Sequence, residues 1–306
     1  MKKMRIVLIA GVGLLAVAGL LFTVRQAWAN QQVKRAQMAP LPEAPTLAVT
    51  SRLEIIPLYE EASTGDEYLS GHGVSYLIRT DTSTVLLDLG NDPDRLNVAP
   101  FVQNLRALGL SEEALDAVVI THLHPDHVGG QKAWTDKTLN LRGAPQAWAD
   151  LPVYVPTYSA YPGALPSTDP TLIAPEIGTT GALPYAEVFP LSLFGAPVGG
   201  EQALVIRVAG EGLVLVTGCG HPGIGNLVSR AKSLYQAPVV GVVGGLHYGA
   251  ASAEDLTEEI EFLQSYRLNL IALSPHDSGP EALAAFETAF TGIYQTLRVG
   301  ETVQFP

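Results

Sequence analysis

Apolar residues recur along this chain in two rhythms, one of period two and one of period three to four. Between Leu53 and Leu89 the rhythm is that of strands. Leu53-Glu54-Ile55-Ile56 opens extended structure, Val74-Ser75-Tyr76-Leu77-Ile78 alternates, and Thr84-Val85-Leu86-Leu87-Asp88-Leu89-Gly90 is an apolar run ending in a turn. The last two segments predict a hairpin joined through Thr80 to Ser83. Pro100 to Leu108 changes to helical spacing, with Phe101, Leu105 and Leu108 on one face and Gly109 as its stop. Ala117-Val118-Val119-Ile120 returns to a strand that buries Val118 and Ile120.

From about 131 to 200 periodicity fades. Pro and Gly are frequent, and aromatic residues come in three short stretches: Trp148; Tyr154, Tyr158 and Tyr161; Tyr185 and Phe189. This reads as irregular strands and loops, either a substrate-covering insertion or a poorly patterned part of a second sheet. Regularity resumes with Ala203 to Val208 and Gly212 to Thr217, a second hairpin. Strand and helix then alternate: helix over Leu227 to Tyr235, strand over Val239 to Val243, helix over Ala253 to Tyr266, strand over Leu270 to Leu273, and largely helix over Glu281 to Leu297. The pattern predicts two β-sheets with helices on their outer faces, an αββα sandwich, over residues 53–306.

The first 52 residues follow a different logic. Lys2, Lys3 and Arg5 precede an apolar stretch from Ile6 to Val24, and Ala27-Trp28-Ala29 offers a small-x-small cleavage pattern. Residues 1–29 are therefore expected to be a signal peptide or an uncleaved membrane anchor, which puts the catalytic part outside the cytoplasmic membrane, periplasmic or extracellular. Residues 30–52 are polar, then rich in proline (Pro40, Pro42, Pro45), and read as a linker.

Composition narrows the partners. The 306 residues carry a formal net charge of -12, and Lys and Arg do not cluster after the N-terminus. Nucleic acid is an unsuitable partner, because phosphate binding needs basic patches. A small-molecule substrate suits the chain, and membrane contact is expected only through an uncleaved N-terminal segment. The single cysteine, Cys219, excludes an internal disulfide.

The chemistry concentrates at Thr121-His122-Leu123-His124-Pro125-Asp126-His127-Val128-Gly129-Gly130. Three of the chain's seven histidines and an aspartate fall within six residues at the end of a strand. His122 and His124 are two apart, so an extended segment points them to the same side, and Asp126 and His127 can reach a second position after the turn at Pro125. Imidazole and carboxylate donors suit zinc or another borderline first-row metal. The remaining histidines mostly follow strands as well. His221 lies in Gly218-Cys219-Gly220-His221-Pro222-Gly223, His247 closes Val242-Val243-Gly244-Gly245-Leu246-His247, and His276 lies in Ser274-Pro275-His276-Asp277. His72, in Gly71-His72-Gly73, either faces the same site or caps a turn.

On these residues the chain resembles the metallo-β-lactamase superfamily, whose signature His-x-His-x-Asp-His is matched at every fixed position from 122 to 127. A narrower resemblance is to the ribofuranosylaminobenzene phosphate (methanopterin-type) synthase-like branch. It is carried by His72 to Ile78, Leu87 to Gly90, Thr217 to Ile224, Gly244 to His247 and Pro275-His276. The resemblance implies two divalent metal ions, zinc with Mn2+ or Fe2+ as alternatives. It implies His122 and His124 on the first metal, completed by His221, and Asp126 and His127 on the second, completed by His276. His247 is then a catalytic proton donor or substrate contact. Many members carry a bridging aspartate in a Thr-Gly-Asp turn where this chain has Thr217-Gly218-Cys219. Either Cys219 ligates a metal, or His221 takes that role and the first site stays one ligand short.

Two metals roughly 3.5–4 Å apart would share a hydroxide and polarise an acceptor oxygen. Asp126 would be catalytic as well as a ligand, orienting that hydroxide. The expected activity is hydrolysis of an ester, lactone, amide or phosphoester of a small molecule by a zinc-dependent metallo-hydrolase. Two other readings are a metal-retaining binding protein or sensor without turnover, and an iron-dependent redox member of the superfamily.

Overall fold

The computed structural model describes residues 2–110, 115–157, 161–187, 196–249 and 252–305, with side chains described from residue 17 onward. The chain divides into two compact units, residues 1–40 with 184–200 and residues 41–183 with 201–306.

The smaller unit holds helix α1 (Lys2–Gln37) and most of a two-stranded sheet. Gln26 Nε2 donates to the Glu187 carbonyl at 2.9 Å. The helix runs without a break through Ala27-Trp28-Ala29 and into the stretch read as a linker. The side chains of Lys2, Lys3, Arg5 and the first part of the apolar stretch lie outside the described residues. Among the described residues, no helix is long and apolar enough to cross a membrane.

The larger unit begins with an extended arm. Ala48 N–H donates to the Pro175 carbonyl at 2.8 Å, Thr50 N–H to the Arg207 carbonyl at 2.9 Å, and Leu47 is buried. Thus the second half of the expected linker is packed chain.

Two seven-stranded sheets follow. Sheet one contains β1 (Leu53–Tyr59), β2 (Ser75–Arg79), β3 (Thr84–Leu87), β4 (Ala117–Val119), β5 (Val153–Val155) and β6 (Leu165–Pro166), with β16 (Val303–Phe305) on its edge beside β1. Sheet two contains β7 (Leu172–Ala174), β8 (Ile177–Thr179), β11 (Leu204–Val208), β12 (Gly212–Val216), β13 (Val239–Gly244), β14 (Leu270–Leu273) and β15 (Tyr294–Thr296). Strands β9 (Leu183–Ala186) and β10 (Val198–Glu201) form the separate pair. Both large sheets are mixed: β3 to β6 run parallel, as do β12 to β15, and the other neighbours are antiparallel.

Period-two alternation explains the layers. Along β3, Val85 and Leu87 face the other sheet while Leu86 joins an outer cluster with Phe101 and Leu105 of α2 (Pro100–Ala107). Along β12, Val214 and Val216 join the inter-sheet core. Leu213 and Leu215 pack outward with residues of α4 (Ile224–Tyr235), α5 (Ala253–Gln264) and α6 (Pro280–Ala289). Burial on both faces is what makes these strands nearly continuous apolar runs. The αββα sandwich is therefore present, with helices outside two mixed sheets.

Two elements differ from the sequence reading. The helix expected to run from Glu281 to Leu297 stops at Ala289, and Tyr294–Thr296 pair in parallel with Ile271–Leu273. Gly292, at φ +92°, turns the chain there, and an open edge of β14 outweighs continued helical spacing. The weakly patterned segment 131–200 holds α3 (Gln131–Asp136) and short strands that complete both sheets. Tyr158 and Phe189, read as part of its aromatic stretches, lie outside the described residues.

Candidate metal centre

Four strands end at the same edge of the sandwich, and their following turns carry the chemistry. The turn after β4 supplies His122, His124, Asp126 and His127; those after β12, β13 and β14 supply Cys219 with His221, His247, and His276 with Asp277. Close approach of these turns depends on missing side chains. A Cβ on Gly218 would meet Thr121 Oγ1 at 2.3 Å, and one on Gly244, whose φ is +121°, would meet the Thr217 carbonyl oxygen at 2.2 Å. Asp88, His247 and Asp277 also hold left-handed φ values of 56°, 53° and 51°. Such strain in non-glycine residues gathers where surrounding structure enforces a site.

The donors fall into three overlapping groups: His122 and His221 with Cys219, His127 and His276 with Cys219, and His72, Asp126, His276 and Asp277. Around the first, His122 Nε2 lies 3.1 Å from His124 Nδ1 and 3.1 Å from His221 Nε2. Across the second and third, His276 Nε2 is 3.0 Å from Asp126 Oδ2, and His127 Nε2 is 3.7 Å from the same oxygen. Cys219 Sγ is 3.1 Å from His127 Nε2. It clusters within 4.8 Å with donors of His122 and His221, and likewise with donors of His127 and His276. The six expected ligands therefore lie in one neighbourhood, and Cys219 joins His122 with His221 and also His127 with His276. His247 is half-buried at the margin, its ring 4.1 Å from that of His221. His72 faces the site: its Nε2 is 3.4 Å from Asp126 Oδ2 and its Nδ1 is 3.0 Å from Glu61 Oε1.

Several carboxylates orient these donors. His127 Nδ1–H donates to Asp88 Oδ2 at 2.7 Å, which turns Nε2 to the site. Asp88 itself accepts from Thr121 N–H at 2.7 Å and from the Thr121 hydroxyl at 2.6 Å. Nδ1 of His276 accepts from Gly73 N–H at 3.2 Å and lies 3.4 Å from Glu61 Oε1, contacts that turn its Nε2 toward Asp126. Glu201 is fully buried and accepts from the Thr217 hydroxyl and from the backbone N–H groups of Cys219, Gly220 and His221, at 2.7–3.1 Å.

Sequence reasoning did not single out Asp88, Glu201, Glu61 or Asp277. The carboxylate closing an otherwise apolar strand at Leu87-Asp88-Leu89 was a usable signal. Glu201 gave none, since a glutamate ahead of a strand ordinarily faces solvent.

The electrostatics divide along the same line. Burial and the neighbouring imidazoles of His127 and His124 push His122 well below its ordinary pKa, and burial with His247 and His124 does the same to His221. These rings are neutral donors. Around His127 the burial penalty is overcome by Cys219, Asp88 and Asp126, and its pKa rises well above the ordinary value. Asp126 is likewise held ionised against burial by His127 and His276. Burial lowers the pKa of His247.

The family model of the metallo-β-lactamase superfamily matches residues 70–231. The chain belongs to the metallo-β-lactamase superfamily. This member of the superfamily is 24% identical to a 7,8-dihydropterin-6-methyl-4-(β-D-ribofuranosyl)-aminobenzene-5'-phosphate synthase of Methanocaldococcus jannaschii, across 83% of this chain and 97% of that one. Its fold resembles the crystal structure of Tm1679, a metal-dependent hydrolase of the β-lactamase superfamily. There the TM-score is 0.59 and the identity 22%, over 83% of this chain and 99% of that one. It also resembles the metallo-β-lactamase fold protein YhfI from Bacillus subtilis, with TM-score 0.51 and 15% identity, over 83% of this chain and 100% of the other.

Members of the superfamily typically bind divalent metals, and the residues present fit such ions. His122 Nε2 has a histidine nitrogen 3.1 Å away on each of two sides, a spacing at which a proton or a shared cation can sit between the rings. His276 Nε2 is buried, makes no regular hydrogen bond, and lies 3.0 Å from the Asp126 carboxylate. A buried nitrogen without a regular hydrogen bond, set among nitrogen, oxygen and sulfur donors, suits a metal ligand.

Proposed function

We propose that this superfamily member is a metal-dependent hydrolase that attacks an ester, lactone, amide or phosphoester of a small molecule. One observation carries the reading: Cys219 clusters with His122 and His221 on one side and with His127 and His276 on the other, with His124 beside the first pair and Asp126 beside the second. A donor set dominated by imidazole and thiolate favours zinc over Mn2+ or Fe2+. Divalent ions held there supply Lewis acidity and lower the pKa of a water ligand. Asp126, ionised and beside His72, His127 and His276, orients the attacking water. Asp88 holds the His127 ring with its Nε2 turned inward, and Gly73 N–H does the same for His276. His247, at the margin against His221, contacts the substrate or hands a proton to its leaving group.

Replacement His124→Ala tests the reading. It should empty the first group of metal and abolish turnover against a panel of lactones, thioesters, phosphodiesters and β-lactams. Full activity with unchanged metal content would sink it. Ligand binding by the zinc form without turnover would favour a sensor, and iron in the purified protein would favour a redox member. The likeness to a synthase that forms a ribofuranosyl 5'-phosphate product supports a second reading, group transfer at the same centre. Product analysis with an added nucleophile separates transfer from hydrolysis.

We also propose that the chain is exported, from the basic N-terminal flank, the apolar run and the Ala27-Trp28-Ala29 pattern. A mature chain starting at Asn30 by mass spectrometry supports this, as does an intact chain recovered from the membrane with its catalytic part outside. An intact chain in the cytoplasmic fraction contradicts it.

A further inference from the structure

The turn after β12 departs from the aspartate-bearing turn of many superfamily members, and its geometry says what the replacement does. Cys219 is 1% exposed, and Glu201 fixes its backbone N–H together with those of the next two residues. Glycines flank it closely. A Cβ on Gly218 would strike Thr121 and Asp88, and Gly220, at φ +80°, would strike the Gly245 carbonyl oxygen at 2.6 Å. Both flanking positions thus keep Cys219 pressed against the turns that follow β4 and β13. Its Sγ falls within reach of donors on both sides: His122 and His221 on one, His127 and His276 on the other. An independent observation points to an ion at this place, namely the fully buried His276 Nε2, which makes no regular hydrogen bond.

We propose that Cys219 is a ligand common to both metal positions, its thiolate bridging the two histidine pairs. The proposal rests on the metal-dependent reading above. Binding releases the thiol proton to solvent, and one sulfur then joins His122 and His221 at the first position, with His124 adjacent, and His127 and His276 at the second, with Asp126 adjacent. A thiolate is softer than a carboxylate and selects zinc over magnesium or manganese. Glu201 acts as a positioning residue through the backbone that carries Cys219.

X-ray absorption at the zinc edge of the full chain loaded with two zinc ions decides the matter. The expected result is about one sulfur scatterer per zinc at about 2.3 Å. An average near one half means that Cys219 serves a single metal and overturns the bridge, and so does the absence of sulfur. Cys219→Ser should lose the sulfur shell. Cys219→Asp, which restores a bridging carboxylate, should keep two zinc ions without it and guards against misfolding of the serine variant. A Glu201→Gln chain that keeps its sulfur shell but releases zinc faster to a chelator marks positioning. If the chain takes up no metal, the metal-dependent reading fails and the bridge with it. A full sulfur shell without turnover leaves the bridge standing and removes only the hydrolase.

Discussion

Asp88 stands behind the donor cluster, yet it fixes one of its histidines and the residue that leads into another. Its carboxylate takes the Nδ1 proton of His127 and both donors of Thr121, the residue just ahead of His122. Asp88→Ala should therefore weaken metal binding by roughly 10–100-fold, the usual cost of losing such an orienting partner, read by chelator competition. A second test concerns Glu259, away from the metals, whose pKa is raised by burial despite bonds from Tyr248 and Gly225 N–H. A carboxyl with a folded pKa above its unfolded one stabilises the fold at low pH and loses that contribution as pH rises through the folded value. Glu259→Gln should thus gain stability relative to the parent between about pH 4 and pH 7, measured as the difference in melting temperature at the two values. At this scale the sequence was readable where residue types are rare. Histidines stand out, and their positions after apolar runs foretold where they would gather. Glu201 and Glu61 were opaque because surface glutamates are common and only the folded turns reveal what they hold.

Strands with both faces buried were readable as apolar runs, and the hairpins β2–β3 and β11–β12 follow from adjacent runs with short polar joints. Edge strands were not. Tyr294–Thr296 and Val303–Phe305 owe their conformation to open neighbours on β14 and β1, which no local pattern announces. The arm before β1 was missed for a similar reason: its prolines look like a tether, while its few apolar side chains find partners only in the folded unit. Leu47 is 4% exposed and sits against Gly178 and Tyr235. Leu47→Ala should cost about 2 kcal/mol or more in denaturant unfolding, with metal content unchanged. A neutral result would mean that the arm does not dock.

At the scale of the molecule, each donor group draws from both sheets. His122, His124, Asp126 and His127 follow β4 of sheet one, whereas His221 and His276 follow β12 and β14 of sheet two. Ligands that bind only the folded state raise its stability, so stripping with a chelator should lower the melting temperature, and zinc should restore it. No change on stripping would place the ions elsewhere. The split also orders events during synthesis. When residues 122–127 leave the ribosome they can grip an ion only loosely, because their partners lie about a hundred or more residues downstream. Firm capture must wait until β14 has been made and both sheets have closed, so retention of metal reports that the last part of the chain has arrived.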